Sequence, residues 1–276
     1  MNIGFIDYYL DEWHANNYPD WIRELDPNME VAYAYAVIDS PKGGLTTDEW
    51  CKQHGVTRCM TMEEIVEKSD ALTVLSPDNC ELHEALCQVA LRSGKRVYID
   101  KTFAPDYDTA KRIFDLANAY HTPCYSTSAL RFAQEYLTVN REQIESIASV
   151  GGNAFEIYVI HQLEPIIMLM QASVKRMMGM QTERFYTLTM EFEDGRLATV
   201  NGYTCGLPFT LHFAMKDGHN HTAVAKSDFF KDFLRALVKS YQTGEVPVTQ
   251  AETLRIAAAR GAAVEAMKHP GEWIVL

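Results

Sequence analysis

Three apolar runs in the first hundred residues each end on residues able to do chemistry. Val31 to Ile38 ends at Asp39, Ala71 to Leu75 at Ser76-Pro77-Asp78, and Arg96 to Ile99 at Asp100-Lys101. If the runs are parallel strands, these stretches face the ligand crevice at the carboxyl edge of the sheet. An acid at the Asp39 position holds the ribose of a dinucleotide in such sheets. Asp39 also suits the turn Asp39-Ser40-Pro41, and the residues leave both roles open. His83 either lines the crevice or packs as a helix histidine. Arg131 suits an anionic or hydroxylated substrate and equally a structural carboxylate. His219 and His221 share one face of a strand, but no carboxylate or thiol at useful spacing joins them. A hairpin edge is their expected setting, and no metal is assigned.

The loop after the first run, Ile3 to Ile6, opposes ordinary cofactor chemistry. A G-x-G-x-x-G fingerprint there serves for a tight turn, close backbone approach and helix packing. This chain has Asp7-Tyr8-Tyr9-Leu10-Asp11-Glu12, so Asp7, Tyr9 and Glu12 hold the glycine positions. Tyr9 fills space that a diphosphate needs, and Asp7, Asp11 and Glu12 set negative charge beside a dianion. Either the loop is rebuilt and the cofactor held elsewhere, or the cofactor was lost.

The elements that must position these residues alternate. Helix patterns over Trp13 to Leu25, Thr47 to His54, Met62 to Ser69, Glu81 to Ser93 and Tyr107 to Tyr120 separate the strands, which predicts a parallel sheet with crossover helices. Tyr8, Tyr9, Trp13, Tyr18 and Trp21 form either helix-to-sheet core or a stacking wall for a sugar. After about residue 125 the pattern becomes extended. Phe185 to Phe192 and Leu197 to Tyr203 flank the turn Glu193-Asp194-Gly195, and Phe209 to Lys216 pairs with His219 to Ala225 across Asp217-Gly218. Asn153 to Ile160 is expected to be extended, with Glu156 and Tyr158 on one face and Ile157 on the other. Helices over Ser227 to Tyr241 and Gln250 to Lys268 close the chain, and Trp273 to Leu276 suits an edge strand. Met168, Met170, Met177, Met178 and Met180 suit core or a dimer interface. The fold class is α/β: a Rossmann-like doubly wound parallel sheet over residues 1–123, then an α/β domain with a mostly antiparallel open sheet over 124–276.

The stretch ALTVLSPDNCELHEALCQVALRSGKRVYIDKT, Ala71 to Thr102, resembles the Gfo/Idh/MocA oxidoreductases. Their pattern is a strand, a Pro-containing loop, a His with an Ala-rich helix, then GK-V-(E)KP. Ser128-Ala129-Leu130-Arg131-Phe132 is similar to the family's N-x-R-F segment, and Gly151-Gly152 followed by His161 to its G-G-x-D-x-G-x-H motif. The resemblance implies reversible hydride transfer at a sugar or cyclitol hydroxyl, with NAD or NADP as cofactor. It implies Lys101 binding the substrate oxygen near the nicotinamide and His161 as general acid/base. Histidine suits that role because its unperturbed pKa is about 6.5. It places Asp39, Ser76, Pro77, His83 and Asp100 on the cofactor, and Arg131, Tyr158 and Glu164 on the substrate. Relatives carry an Asp four residues before the catalytic His; here that residue is Ile157, and Glu164 remains as an acidic partner. The alternative to a dehydrogenase is a cofactor-free descendant serving in binding or assembly, or in acid/base chemistry without hydride transfer.

Composition narrows the rest. The 276 residues are 47% hydrophobic and 22% charged, ordinary for a globular protein. A net charge of −12 with no cationic run argues against nucleic acid. No apolar segment reaches the roughly 18 to 20 residues that span a bilayer, and the MNIGFIDYYL start has no basic segment of a signal peptide. The six cysteines form no CxxC pair, so a reduced, cytoplasmic protein is expected. The expected partners are a small polyol or sugar and a second copy in a homodimer.

Overall fold

The computed structural model describes residues 1–276, the side chain of Lys42 aside. The chain forms two compact units. The first takes residues 1–104, 108–126 and 234–250, the second 105–107, 127–233 and 251–276.

The first unit runs β1 (Asn2–Asp7), α1 (Trp13–Leu25), β2 (Glu30–Ala36), α2 (Thr47–His54), β3 (Thr57–Arg58), α3 (Met62–Lys68), β4 (Ala71–Val74), α4 (His83–Leu86), α5 (Gln88–Leu91), β5 (Arg96–Ile99), α6 (Tyr107–Ala119) and β6 (Cys124–Tyr125). Its strands are all parallel in the order β3-β2-β1-β4-β5-β6. Every residue of β4 is buried, as a strand covered on both faces requires. The helix expected over Glu81 to Ser93 is divided at Cys87, whose N–H is shared between the carbonyls of His83 and Ala85. Register matters most for function. Ile6 pairs with Val74 and Val74 with Ile99, so Asp7, Leu75 and Asp100 emerge together at the carboxyl edge.

The second unit holds α7 (Gln134–Leu137), β7 (Ile144–Gly152), α8 (Phe155–Tyr158), α9 (Ile160–Met170), β8 (Val174–Gln181), β9 (Phe185–Phe192), β10 (Leu197–Tyr203), β11 (Thr210–Met215) and β12 (Asn220–Val224). Then follow α10 (Phe229–Thr243), α11 (Gln250–Lys268) and β13 (Ile274–Val275). The sheet order is β12-β11-β7-β10-β9-β8-β13, antiparallel except between β7 and β10. Strand β9 alternates buried and half-buried residues, so one face is covered. Leu163, Ile166 and Ile167 of α9 and Ala259 and Ala263 of α11 share a core with Ile147, Leu188, Met190 and Val200 of the sheet. Residues 234–243 of α10 return to the first unit, where the Tyr241 hydroxyl reaches Thr73 Oγ1 at 2.6 Å.

One local expectation is corrected. Residues 153–160 are not extended: β7 ends at Gly152, Asn153 turns with φ 75°, and α8 begins at Phe155. A Cβ on Gly152 would lie 2.4 Å from Leu207 N and 2.5 Å from Cys205 O, so only glycine admits that neighbouring backbone. Glu156, Ile157 and Tyr158 therefore lie on a helical turn rather than on alternating strand faces.

Candidate functional site

At the carboxyl edge of the parallel sheet, polar groups are buried in unusual number. Asp7 and Asp100 are each 1% exposed, and Glu12, His14 and Lys101 are also buried. His14 Nδ1 lies 2.6 Å from Asp100 Oδ2, and the Tyr98 hydroxyl donates to Asp100 Oδ1 at 3.0 Å. The His14 ring stacks on Tyr18. Burial works to raise the Asp100 carboxyl, but His14, Lys101 and His83 outweigh it and hold it at about 2. Asp7 has no such cation. Burial first, and then Glu12, push its carboxyl well above the ordinary range; its Oδ1 accepts from Tyr8 N, while Oδ2 has no partner.

Glu12 is the N-cap of α1. Its carboxylate accepts the backbone N–H of His14 at 2.8 Å and of Ala15 at 2.5 Å. Burial raises it to about 7 despite those bonds. Asp11 is engaged as well, accepting from Asn16 Nδ2 and from Leu45 N, each at 2.9 Å. A dinucleotide lays its diphosphate on the amides that start this helix. The residues here do not fit that group: an internal carboxylate already occupies the amides, and a second carboxyl is buried beside it.

Other predicted cofactor residues divide. Lys101 Nζ donates to the Pro77 carbonyl at 3.2 Å, so Lys101 joins the Ser76-Pro77 loop, where Ser76 sits at φ 78°. His83 is fully buried with Nδ1 3.1 Å from the Phe103 carbonyl; burial lowers its pKa, and Nε2 has no partner. It shares the electrostatic surroundings of Asp100 and Lys101. Asp39 is exposed and stands apart, its Oδ1 accepting from Thr47 N at 2.8 Å at the start of α2.

In the second unit, α9 carries His161 and Glu164 on adjacent turns. The His161 Nδ1 lies 2.8 Å from Ser128 Oγ. Ser128 Oγ also accepts from Leu130 N, and which of Ser128 and His161 donates to the other is set by the histidine tautomer. Tyr158 and Phe209 flank the imidazole at 5.4 and 5.7 Å between ring centres. Glu164 is spent internally: it accepts from Thr127 Oγ1 at 2.6 Å, Arg131 Nε at 2.8 Å and Ser128 N at 2.8 Å. Arg131 also bonds Glu252, so it pairs with two carboxylates of this unit. His219 pairs with Asp217 on the exposed edge and His221 stacks on Phe213.

Sequence reasoning missed His14, Glu12 as a cap, and Ser128. The available signal was the aromatic stretch around Trp13 and the acid at each end of the β1-to-α1 loop.

Residues 12–127 match the model of the Gfo/Idh/MocA family, described as an oxidoreductase family with an NAD-binding Rossmann fold. A scyllo-inositol dehydrogenase from Lactobacillus casei, solved with NAD(H) and scyllo-inositol, is similar with a TM-score of 0.81 and 14% identity, over 100% of this chain and 98% of that one. A protein of gentamicin A biosynthesis in complex with NAD gives 0.82 and 11%, over 100% and 96%. A UDP-N-acetylglucosamine 3-dehydrogenase from Acidithiobacillus ferrooxidans gives 0.77 and 12%, over 98% of each. At these identities the likeness is one of fold. No curated protein matches the chain by sequence. Among the described residues, no helix is long and apolar enough to cross a membrane.

Proposed function

We propose, for a chain whose residues 12–127 match the model of the Gfo/Idh/MocA oxidoreductase family, that it acts on the hydroxyl of a sugar- or cyclitol-like polyol. The observation that carries this is the pairing of His161 with Ser128 between two aromatic rings. With Nδ1–H donated to Ser128 Oγ, neutral His161 takes a proton from a substrate hydroxyl at Nε2, and the imidazolium so formed returns it in the reverse direction. Lys101 supplies a hydrogen-bond donor for an oxygen at the carboxyl edge of the first unit. Dehydrogenases of similar fold named for scyllo-inositol and for UDP-N-acetylglucosamine support this substrate class.

In a dehydrogenase of this family NAD or NADP accepts the hydride. The β1-to-α1 loop does not fit it, and the roles given to His161 and Lys101 do not depend on it. Glu12 on the α1 amides favours a second reading, a cofactor-free descendant that keeps the polyol site for binding or proton transfer.

The test is calorimetric titration of the protein with inositols, hexoses and UDP-sugars, with His161→Ala beside it. Binding of one polyol, weakened about tenfold or more by His161→Ala, is the expected result. If no polyol binds a folded sample, the proposal fails. Nicotinamide reduction with the bound polyol marks the dehydrogenase; polyol conversion without added nicotinamide marks the second reading.

A further inference from the structure

The start of α1 is sealed by the chain itself. The amides of His14 and Ala15 are the second and third of the helix, the pair an anion at a helix N-terminus uses. Both are held by Glu12, which is 8% exposed. The loop is tied down on either side of that carboxylate: Asp11 bonds Asn16 and Leu45 N, Asn16 Oδ1 accepts from Trp50 Nε1 at 2.7 Å, and Ile38 N bonds the Tyr8 carbonyl. Asp7 lies buried at the end of β1 with Oδ2 unpartnered, so a phosphate entering here meets a second carboxyl after displacing the first.

We infer that Glu12 is the resident ligand of the α1 amides, standing where a diphosphate lies in a dinucleotide-binding fold, and that this chain holds no NAD or NADP there. The position that a glycine-rich loop leaves open for backbone approach carries a side chain whose oxygens reach both amides and satisfy them internally. Nothing in this depends on the polyol reading: the His161 site can be inactive while α1 remains sealed, or active while it is sealed.

Two measurements on the whole chain test it. The first is calorimetric titration of the unmodified protein with NAD, NADH, NADP and NADPH, each to the millimolar range. Silence, or dissociation constants weaker than about 100 µM, is expected; binding at about 100 µM or tighter to any of the four overturns the inference. The second compares unfolding midpoints of Glu12→Ala and Glu12→Gln. Glu12→Ala should unfold about 2 to 4 °C below the parent and Glu12→Gln, which keeps an oxygen for the amides, closer to it. An unchanged midpoint in Glu12→Ala shows that the carboxylate does not hold the helix start, and overturns the inference whatever the titration gives.

Discussion

Asp7, Glu12 and Asp100 crowd the carboxyl edge of the first unit, where His14 acts on Glu12 and Asp100 and no cation acts on Asp7, whereas Glu164 and Glu252 in the second unit share Arg131. Both clusters are buried, yet they meet the cost of burial by different means. In the second unit the cation cannot be discharged in the ordinary pH range. Burial opposes the Arg131 charge, but the two glutamates outweigh it and hold the guanidinium above its usual value. In the first unit burial outweighs the bonds that Asp7 and Glu12 accept and the pull of His14 on Glu12, so both are pushed toward their protonated forms instead. The second cluster is a fixed brace; the first has a charge state that depends on pH.

The largest expected effect comes from breaking the brace. Arg131→Met leaves Glu164 buried, with three hydrogen-bond donors reduced to Thr127 and Ser128 N and no cation. Removing one partner of a buried ion pair costs about 3 to 5 kcal/mol, whereas replacing both by apolar groups is close to neutral. Urea unfolding should show that loss in Arg131→Met and substantial recovery in Arg131→Met with Glu164→Leu. A single-variant loss under about 1 kcal/mol would mean Arg131 is free for a ligand, as its place beside the N-x-R-F-like segment first allowed.

The first cluster should reveal itself through pH. Glu12 has a folded value of about 7 against an ordinary 4.5, so between those values the folded chain binds more protons than the unfolded one. Stability therefore falls as pH rises through that window, and Asp7 shifts in the same direction. Asp100, at about 2 against 3.8, adds stability above its ordinary value that disappears only as pH drops toward 2. Unfolding free energy measured from pH 4.5 to 7 should decline by on the order of 2 kcal/mol, and Glu12→Gln should flatten the slope. A parent profile already flat would show that the two units handle charge alike.

The same contrast governs what the sequence discloses. Strands β1, β4 and β5 are legible because a strand buried on both faces must be a short apolar run, and their ends place Asp100 and Lys101 at the edge without further information. Strand β7 is not, although it lies within the second sheet between β11 and β10: Ser146, Ala148, Ser149, Gly151 and Gly152 give it no apolar alternation. Those small residues answer to neighbours distant in sequence, such as the Phe209 ring 2.7 Å from where a Gly151 Cβ would stand. The polar partnerships are hidden for the same reason. His14 and Asp100 are 86 residues apart, and Ser128 and His161 are 33 apart. The sequence shows an acidic partner missing at Ile157 but does not show a serine hydroxyl bonded to the histidine instead. Glu12 was legible as a misfit in a glycine pattern; its role as a cap needed the helix start in place.

The smallest effect sharpens the comparison most, because it concerns a single hydrogen. Ser128 Oγ accepts from Leu130 N and lies 2.8 Å from His161 Nδ1, so its bond to the ring holds one histidine tautomer over the other. Ser128→Ala should cost only about 1 kcal/mol of stability, the net worth of an ordinary hydrogen bond. Its informative readout is the pair of ¹⁵N shifts of the His161 ring above its titration. In the parent, Nδ1 should be of the protonated type, donating to Ser128, and Nε2 of the unprotonated type; in Ser128→Ala the two tautomers should mix. An unprotonated Nδ1 in the parent would reverse the assignment, with Ser128 donating to His161 and Nε2 carrying a proton that leaves it no lone pair for a hydroxyl hydrogen.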